Sequence, residues 1–245
     1  MRWMTFAMPV VFSLAVIGYA ALRTDCTQNL VFRIFFEAWT AFVIPLCVSV
    51  MAAFIIQEEE QAGGFMGFLS TSISRNKLYL GKFFLLFLCM AVSTVIALVT
   101  LSIGINFILP GGINSLIFTS ATILVIFGTL PLLALHLWIS FALGTGASIG
   151  VGMSGLVIAA LIGTTELGDK IWMFVPWAWP SRLANLPGAY LDFTPGMQTP
   201  PQEIASGSIF SQLSISFIII IICLIVLVVG GIIWFRKGEG RKHYE

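Results

Sequence analysis

A serine and a histidine are the side chains of this sequence whose types suit covalent chemistry. Ser154 lies in the tetrapeptide Gly-Met-Ser-Gly at Gly152–Gly155, and a nucleophilic serine needs a general base within hydrogen-bonding reach. His136 precedes this serine without an acid beside it to orient the ring, and His243 lies in the carboxyl-terminal tail. An intramembrane hydrolase, which would require both Ser154 and His136, is therefore kept only as an alternative.

Motifs for nucleotide, metal and disulfide chemistry are not found in the chain. The pair Gly81–Lys82 is followed by Phe83, which does not complete a phosphate-binding loop of the form Gly-x-x-x-x-Gly-Lys-Ser/Thr. The four cysteines are scattered, with no Cys-x-x-Cys pair, and this spacing indicates neither a disulfide framework nor a metal site. We expect no catalytic group, metal or cofactor in this chain, and no nucleic-acid partner.

The composition indicates a membrane protein. Charged residues make up 9% of the 245 residues, hydrophobic residues 58%, and the mean hydropathy is +1.01, whereas soluble domains carry about 25% charge. A spanning helix needs about 20 mostly apolar residues, and the alternation of a membrane barrel is missing. The sequence predicts an all-α, polytopic membrane protein, a single domain over residues 1–245, with six transmembrane helices at about 3–22, 38–56, 83–109, 116–143, 147–165 and 212–235.

The basic residues predict the orientation, because cytoplasmic loops carry an excess of lysine and arginine. With the amino terminus inside, four basic residues lie outside: Arg23, Arg33, Lys170 and Arg182. Eight then lie inside: Arg2, Arg75, Lys77, Lys82, Arg236, Lys237, Arg241 and Lys242. We therefore expect a multi-pass protein of the bacterial cytoplasmic membrane with both termini in the cytoplasm. A cleaved signal peptide ending near Ala20 is the alternative for the first span, and it would leave five spans.

The outer loop at residues 166–211 is too apolar to be an ordinary solvated connector. Its prolines at positions 176, 180 and 187 prevent one continuous helix. We expect a re-entrant or interfacial helical segment before the last span, with Trp172, Trp177 and Trp179 at headgroup depth. These tryptophans are candidates for a substrate path or outer gate. His136 is another, because an ionisable residue within a span suggests function, although a histidine hydrogen-bonded to a neighbouring helix is the simpler interpretation.

The polar loop at residues 57–82 is the most unusual part of the chain. Three consecutive glutamates, Glu58, Glu59 and Glu60, follow the second span, and three basic residues precede the third. Phe65, Phe68 and Leu69 have the i, i+3, i+4 spacing of one apolar helical face. The chain has no nucleotide site of its own, and this loop places an acidic and apolar surface on its inner side. The loop therefore indicates a docking surface for a soluble partner.

The same loop resembles the type-2 permeases of ABC transporters. Their pattern is Glu-x-Glu-x-x-Gly-Thr, then Leu-Leu, Pro-Ile-Ser-Arg and Gly-Lys, between the second and third spans. The matching residues here are Glu58, Glu60, Gly63, Phe68, Leu69, Ile73, Ser74, Arg75, Gly81 and Lys82. Gly64 stands in place of the threonine and Ser72 in place of the proline. The six-span layout extends the resemblance over the whole chain.

Within these permeases, the sequence is similar to the lantibiotic-immunity subunits of Gram-positive bacteria, of the nisin, epidermin and mutacin type. The resemblance implies an exporter subunit that expels antimicrobial peptides, with a cytoplasmic coupling helix at roughly 58–69 seated on an ATPase. It assigns coupling to Glu58, Glu59, Glu60, Gly63, Phe65, Phe68, Leu69 and Arg75. The implied partners are two ATPase copies, which would hold ATP and Mg²⁺, a second six-span permease, membrane lipid and the peptide.

Besides the intramembrane hydrolase, two alternatives for the function stay open at this stage. The first keeps an ABC exporter and changes its cargo to bacitracin-like peptides, another amphiphile or a lipid. The second is a stand-alone channel or sensor partner, which would need no ATPase.

Overall fold

The chain folds into a bundle of long helices. The computed structural model describes residues 1–61, 74–191, 193, 197 and 202–237. Within them, six helices are long and apolar enough to cross a membrane, which confirms the predicted all-helical, polytopic fold. These are α1 (Trp3–Ala21), α2 (Gln28–Gln61), α3 (Arg75–Asn106), α4 (Ser115–Leu143), α5 (Thr145–Gly163) and, after the short α6 (Trp179–Gly188), α7 (Ser208–Lys237).

The six long helices alternate in direction, so the bundle has two distinct ends. One end carries the last described turn of α2 and the first turns of α3, and we call it the Glu59 end. The opposite end carries α6 and is called the Arg182 end. Because the number of spans is even, α1 begins and α7 finishes at the same end, the Glu59 end.

Helix α4 forms the centre of the bundle and packs against α2, α3, α5, α6 and α7. Its residues Leu132, Leu133, Ala134 and Leu137 are all buried, so the helix is covered on every side along this stretch. Helix α7 is peripheral, since 17% of its most apolar stretch is buried within the chain, against 72% for α2. The remaining surface of α7 is mostly aliphatic and suits contact with lipid.

Helix α2 begins ten residues earlier than its apolar run, at Gln28 instead of residue 38. Thr27 caps it, accepting a hydrogen bond from the amide of Leu30 at 3.2 Å. Arg33 and Glu37, one turn apart, form an ion pair at 3.5 Å, so the extra turns carry charge that a hydropathy count rejects. At 1.5 Å per residue α2 is roughly 50 Å long, which exceeds the hydrocarbon core at about 30 Å.

Three of the described spans contain a wide π-helical turn, at Trp3–Ala7 in α1 and in both α2 and α5, and the turns of α2 and α5 contact each other. Of these two, one is Trp39–Val43 in α2, which ends two residues before Pro45, whose missing amide interrupts the regular ladder. The other is Ala159–Gly163 at the end of α5. The hydroxyl of Thr40 donates to the carbonyl of Phe36 at 2.6 Å and so supplies a local partner for the disturbed backbone.

The segment between α5 and α7 packs into the Arg182 end of the bundle. Three short 3-10 turns lead into α6, which lies against α4 and the beginning of α2. Gly128 of α4 allows this approach, because a Cβ there would lie 3.1 Å from the backbone nitrogen of Pro180. Leu183 and Ala184 of α6 are fully buried, so this segment is part of the core.

Candidate functional site

The glutamate cluster lies in the last described turn of α2, where Glu58 is exposed and both Glu59 and Glu60 are half-buried. These residues continue the spanning helix instead of opening a separate coupling helix at residue 58. The other members of the predicted coupling helix, Gly63, Phe65, Phe68 and Leu69, lie outside the described residues. Their coupling role stays a prediction.

Glu59 and Lys82 form an ion pair between α2 and α3. Their side chains are only 25% and 21% exposed, so water screens this pair less than it screens a pair at the surface. Since residues 62–73 connect the two helices, the ion pair joins both ends of that connection. The sequence motif contains Lys82 but did not indicate this partner.

Arg75, the first residue of α3, contacts the opposite end of the chain. Its Nη1 donates a hydrogen bond to the backbone carbonyl of Arg236 at 3.0 Å. That carbonyl lies in the last turn of α7, where helix carbonyls lack intrahelical partners and a cation is favourable. Arg75 was predicted to act in coupling to the ATPase, and the structure shows that its side chain links the start of α3 to the end of α7.

Three aromatic rings fill the space behind Arg75. Tyr79 of α3 lies 5.9 Å from Phe141 of α4 and 6.0 Å from Phe235 of α7, and these two phenylalanines are 4.8 Å apart, all measured between ring centroids. Gly231 of α7 permits the contact, because a Cβ there would overlap the Tyr79 hydroxyl. Sequence reasoning missed this cluster, since its members come from three separate spans.

His136 is fully buried and links three helices. Its Nδ1 lies 3.1 Å from the Ser148 hydroxyl of α5, and that hydroxyl donates to the carbonyl of Ser49 in α2 at 3.2 Å. Because the Ser148 hydroxyl donates its single proton to Ser49, it can only accept from His136. The Nδ1 atom of His136 therefore carries the proton of the bond between His136 and Ser148. His136 therefore lies inside a closed junction and does not border the groove described below.

The arrangement of Ser154 does not fit hydrolysis. Its side chain is exposed on α5 and donates to the carbonyl of Gly150 in the same helix at 3.1 Å. The serine beside His136 is Ser148 instead, and both residues of that pair are fully buried. A nucleophile needs a base in reach and access for its substrate, and neither serine has both.

The three tryptophans of the outer segment contribute to packing. Trp172 and Trp179 are buried, with 4% and 2% of their surface exposed. The indole of Trp179 donates to the carbonyl of Met173 at 3.0 Å. Trp177 is half-buried against α5, where a Cβ on Gly155 would overlap its indole nitrogen. Buried rings of this kind hold the segment in place, and the gate role of the three tryptophans stays a prediction.

Arg182 of α6 organises the end of α5. Its guanidinium donates to the carbonyl of Ile162 from Nε at 3.1 Å and from Nη2 at 3.0 Å, and to the carbonyl of Thr165 at 2.5 Å. It also pairs with Asp169 at 2.7 Å. The carbonyls at a helix end need such donors. The sequence analysis counted Arg182 among the basic residues outside the membrane and did not indicate this role at the end of α5.

An apolar groove lies between α4 and α7 at the Arg182 end. Its volume is about 740 Å³, and it is partly open. The two helices come together below it, where the rings of Phe127 and Phe217 stack at 4.2 Å. The groove is lined by Asn114, Leu116, Ile117, Ser120, Ile123, Leu124, Leu186, Pro187, Tyr190, Phe193, Ile209, Phe210 and Leu213.

The fold and these sites define a multi-pass membrane protein of the transport-permease class. The model of the ABC-2 family transporter proteins matches residues 1–164, which is more than half of the chain. The chain therefore belongs to the ABC-2 transporter family, as a transmembrane subunit that works with an ATPase partner and is not itself that ATPase. No curated protein and no solved structure matches the chain.

Proposed function

We propose that this permease expels lantibiotic-type antimicrobial peptides from the bacterial membrane. The observation that supports this cargo is the groove between α4 and α7. It lies on spanning helices, is partly open, and has almost entirely apolar walls. Such walls suit the apolar face of a membrane-bound amphiphile, which gains about 25 cal/mol for each Å² that it buries.

The proposed orientation places the Glu59 end in the cytoplasm and the groove in the outer half of the membrane. The positive-inside rule supports this choice, because Arg2, Arg75, Lys77, Lys82 and Arg236 lie at the Glu59 end. A peptide that attacks from outside then meets the groove at the depth where it first inserts. The ATPase docks at the opposite end, next to the glutamate cluster.

The proposed assembly contains two ATPase copies and a second six-span permease, identical or related. Helix α5 offers one surface for another helix, because Gly146 and Gly150 have no neighbour within 4 Å of a Cβ position and Ser154 of the same stripe is exposed. Small residues spaced four apart allow close helix contact in membranes. A mild-detergent purification with mass spectrometry tests this composition.

A second cargo class fits the same groove. Bacitracin-like peptides, other amphiphiles and lipids all have an apolar part that the walls accept. The groove walls contain no charged residue among those described, so they select for apolarity more than for a sequence. A stand-alone channel or sensor partner is the remaining alternative, and recovery of the chain without an ATPase would favour it.

The experiment compares two exposed phenylalanines at the Arg182 end. Phe210 lines the groove and is 76% exposed, whereas Phe107 follows α3 away from it and is 87% exposed. We expect Phe210→Ser to lower peptide resistance roughly tenfold, because a phenylalanine contact contributes about 1.5 kcal/mol or more. Phe107→Ser should leave resistance unchanged. Equal resistance in the two variants at equal membrane levels would contradict binding in the groove.

A further inference from the structure

Helix α7 is held to the rest of the chain in two different ways along its length. At the Arg182 end it stands apart from α4, with the groove between them. At the Glu59 end it is bound to α3, through the Arg75 hydrogen bond to the Arg236 carbonyl and through the Tyr79 ring against Gly231 and Phe235. Phe235 also packs there against Phe141 of α4, with ring centroids 4.8 Å apart. The groove wall that α7 provides is therefore connected, through the length of α7, to the start of α3.

This inference rests on the proposed function, in which the ATPase docks at the Glu59 end. Movement of the ATPase then acts first on the end of α2 and the start of α3. Arg75, Tyr79 and Lys82 are spaced i, i+4 and i+7, so they share one face of the helix. The first two contact α7, and the third pairs with Glu59 of α2. One face of α3 thus joins the end of α2 to the end of α7.

We infer that Arg75 and Tyr79 are positioning residues that transmit movement of the α2–α3 ends to α7, and so change the width of the groove at the other end of that helix. A helix keeps its shape along its length, and α7 is little buried, so it is free to move as a rigid rod against α4 and lipid. The binding of ATP to the ATPase at one end of the bundle thereby changes the shape of the cargo groove at the other end.

The chain offers matched variants for a test. Arg75→Ala removes the donor, whereas Arg236→Ala keeps the backbone carbonyl that accepts the bond and is the control. Tyr79→Ala removes the ring, whereas Tyr79→Phe keeps the ring and removes a hydroxyl that has no partner among the described residues. A merely structural role predicts that each alanine variant loses stability without a change in how the helices move.

The experiment uses the full complex with its ATPase in lipid nanodiscs. Spin labels at Lys77 of α3 and Trp234 of α7, both exposed, report the separation of the two helices with and without trapped ATP. We expect one constant separation in the unmodified chain and in both controls, while separate labels at Phe210 and Leu116 across the groove change their distance. In Arg75→Ala combined with Tyr79→Ala, the α3–α7 separation should vary with nucleotide and the groove distance should stop responding.

A groove that responds fully to ATP in the alanine double variant overturns the inference. The readout needs only ATP and Mg²⁺, so it separates the inference from the cargo proposal. A complex whose groove moves with ATP, but whose hydrolysis is not stimulated by lantibiotic-type peptides, refutes the cargo and supports the transmission through α7. A groove that does not move with ATP in the unmodified complex refutes the transmission itself.

Discussion

Glu59 of α2 and Lys82 of α3 form an ion pair that joins the two helices on either side of residues 62–73. The neighbouring Glu58 points outward and is exposed. One glutamate of the cluster therefore serves the internal structure, while another is accessible to a partner. The three consecutive glutamates are not equivalent, although the resemblance assigned coupling to all of them.

This difference gives a first prediction. Glu59→Lys should reduce the coupling between ATP hydrolysis and transport, because it places two lysines against each other. The reversed pair, Glu59→Lys with Lys82→Glu, should recover most of the loss, since the attraction is restored. The expected interaction energy is about 1 kcal/mol, from a double-mutant cycle on transport per ATP hydrolysed. Failure of the reversed pair to recover would show that Glu59 contacts the ATPase directly.

The polar junction around His136 gives a second prediction. Ser148→Ala removes the acceptor for the His136 Nδ1 proton and the donor for the Ser49 carbonyl, both in the buried interior. A buried group left without its partner costs roughly 1–3 kcal/mol. We expect Ser148→Ala to lower the thermal stability of the permease in detergent, as followed by tryptophan fluorescence.

Ser154→Ala is the control for this prediction. Ser154 is exposed and bonds only to its own helix, so its removal should change stability by less than about 0.5 kcal/mol. Peptide resistance should also persist in that variant. Loss of resistance at full stability would instead revive the hydrolase alternative.

The extent of each span shows how far the sequence alone can go. Apolar runs located the six spans because charge is excluded from the bilayer interior. They missed the first turns of α2, since Arg33 and Glu37 neutralise each other one turn apart and let the helix continue into polar surroundings. They also began the third span at residue 83, whereas α3 starts at Arg75.

The candidate site divides in the same way. The local motif found Arg75 and Lys82, and the run of three glutamates included Glu59, because all three residues lie within one loop of the sequence. Their partners were not visible, since Arg75 and Arg236 are 161 residues apart and meet only when α3 and α7 pack together. The tryptophans were assigned to the membrane interface from their type, and the fold buries Trp172 and Trp179 because α6 turns back onto α4.

Arg182 gives the last prediction. This side chain is 19% exposed and satisfies two backbone carbonyls at the end of α5 while it pairs with Asp169. Arg182→Gln keeps a donor but loses the charge and the branched geometry, and we expect the free energy of unfolding to fall by roughly 2 kcal/mol, since hydrogen bonds from charged groups are worth about 1.5–3 kcal/mol. Lys170→Gln, an exposed cation in the same segment, is the control and should have little effect. Thermal unfolding in nanodiscs measures both variants, and equal midpoints for them would show that α5 needs no cation at its end.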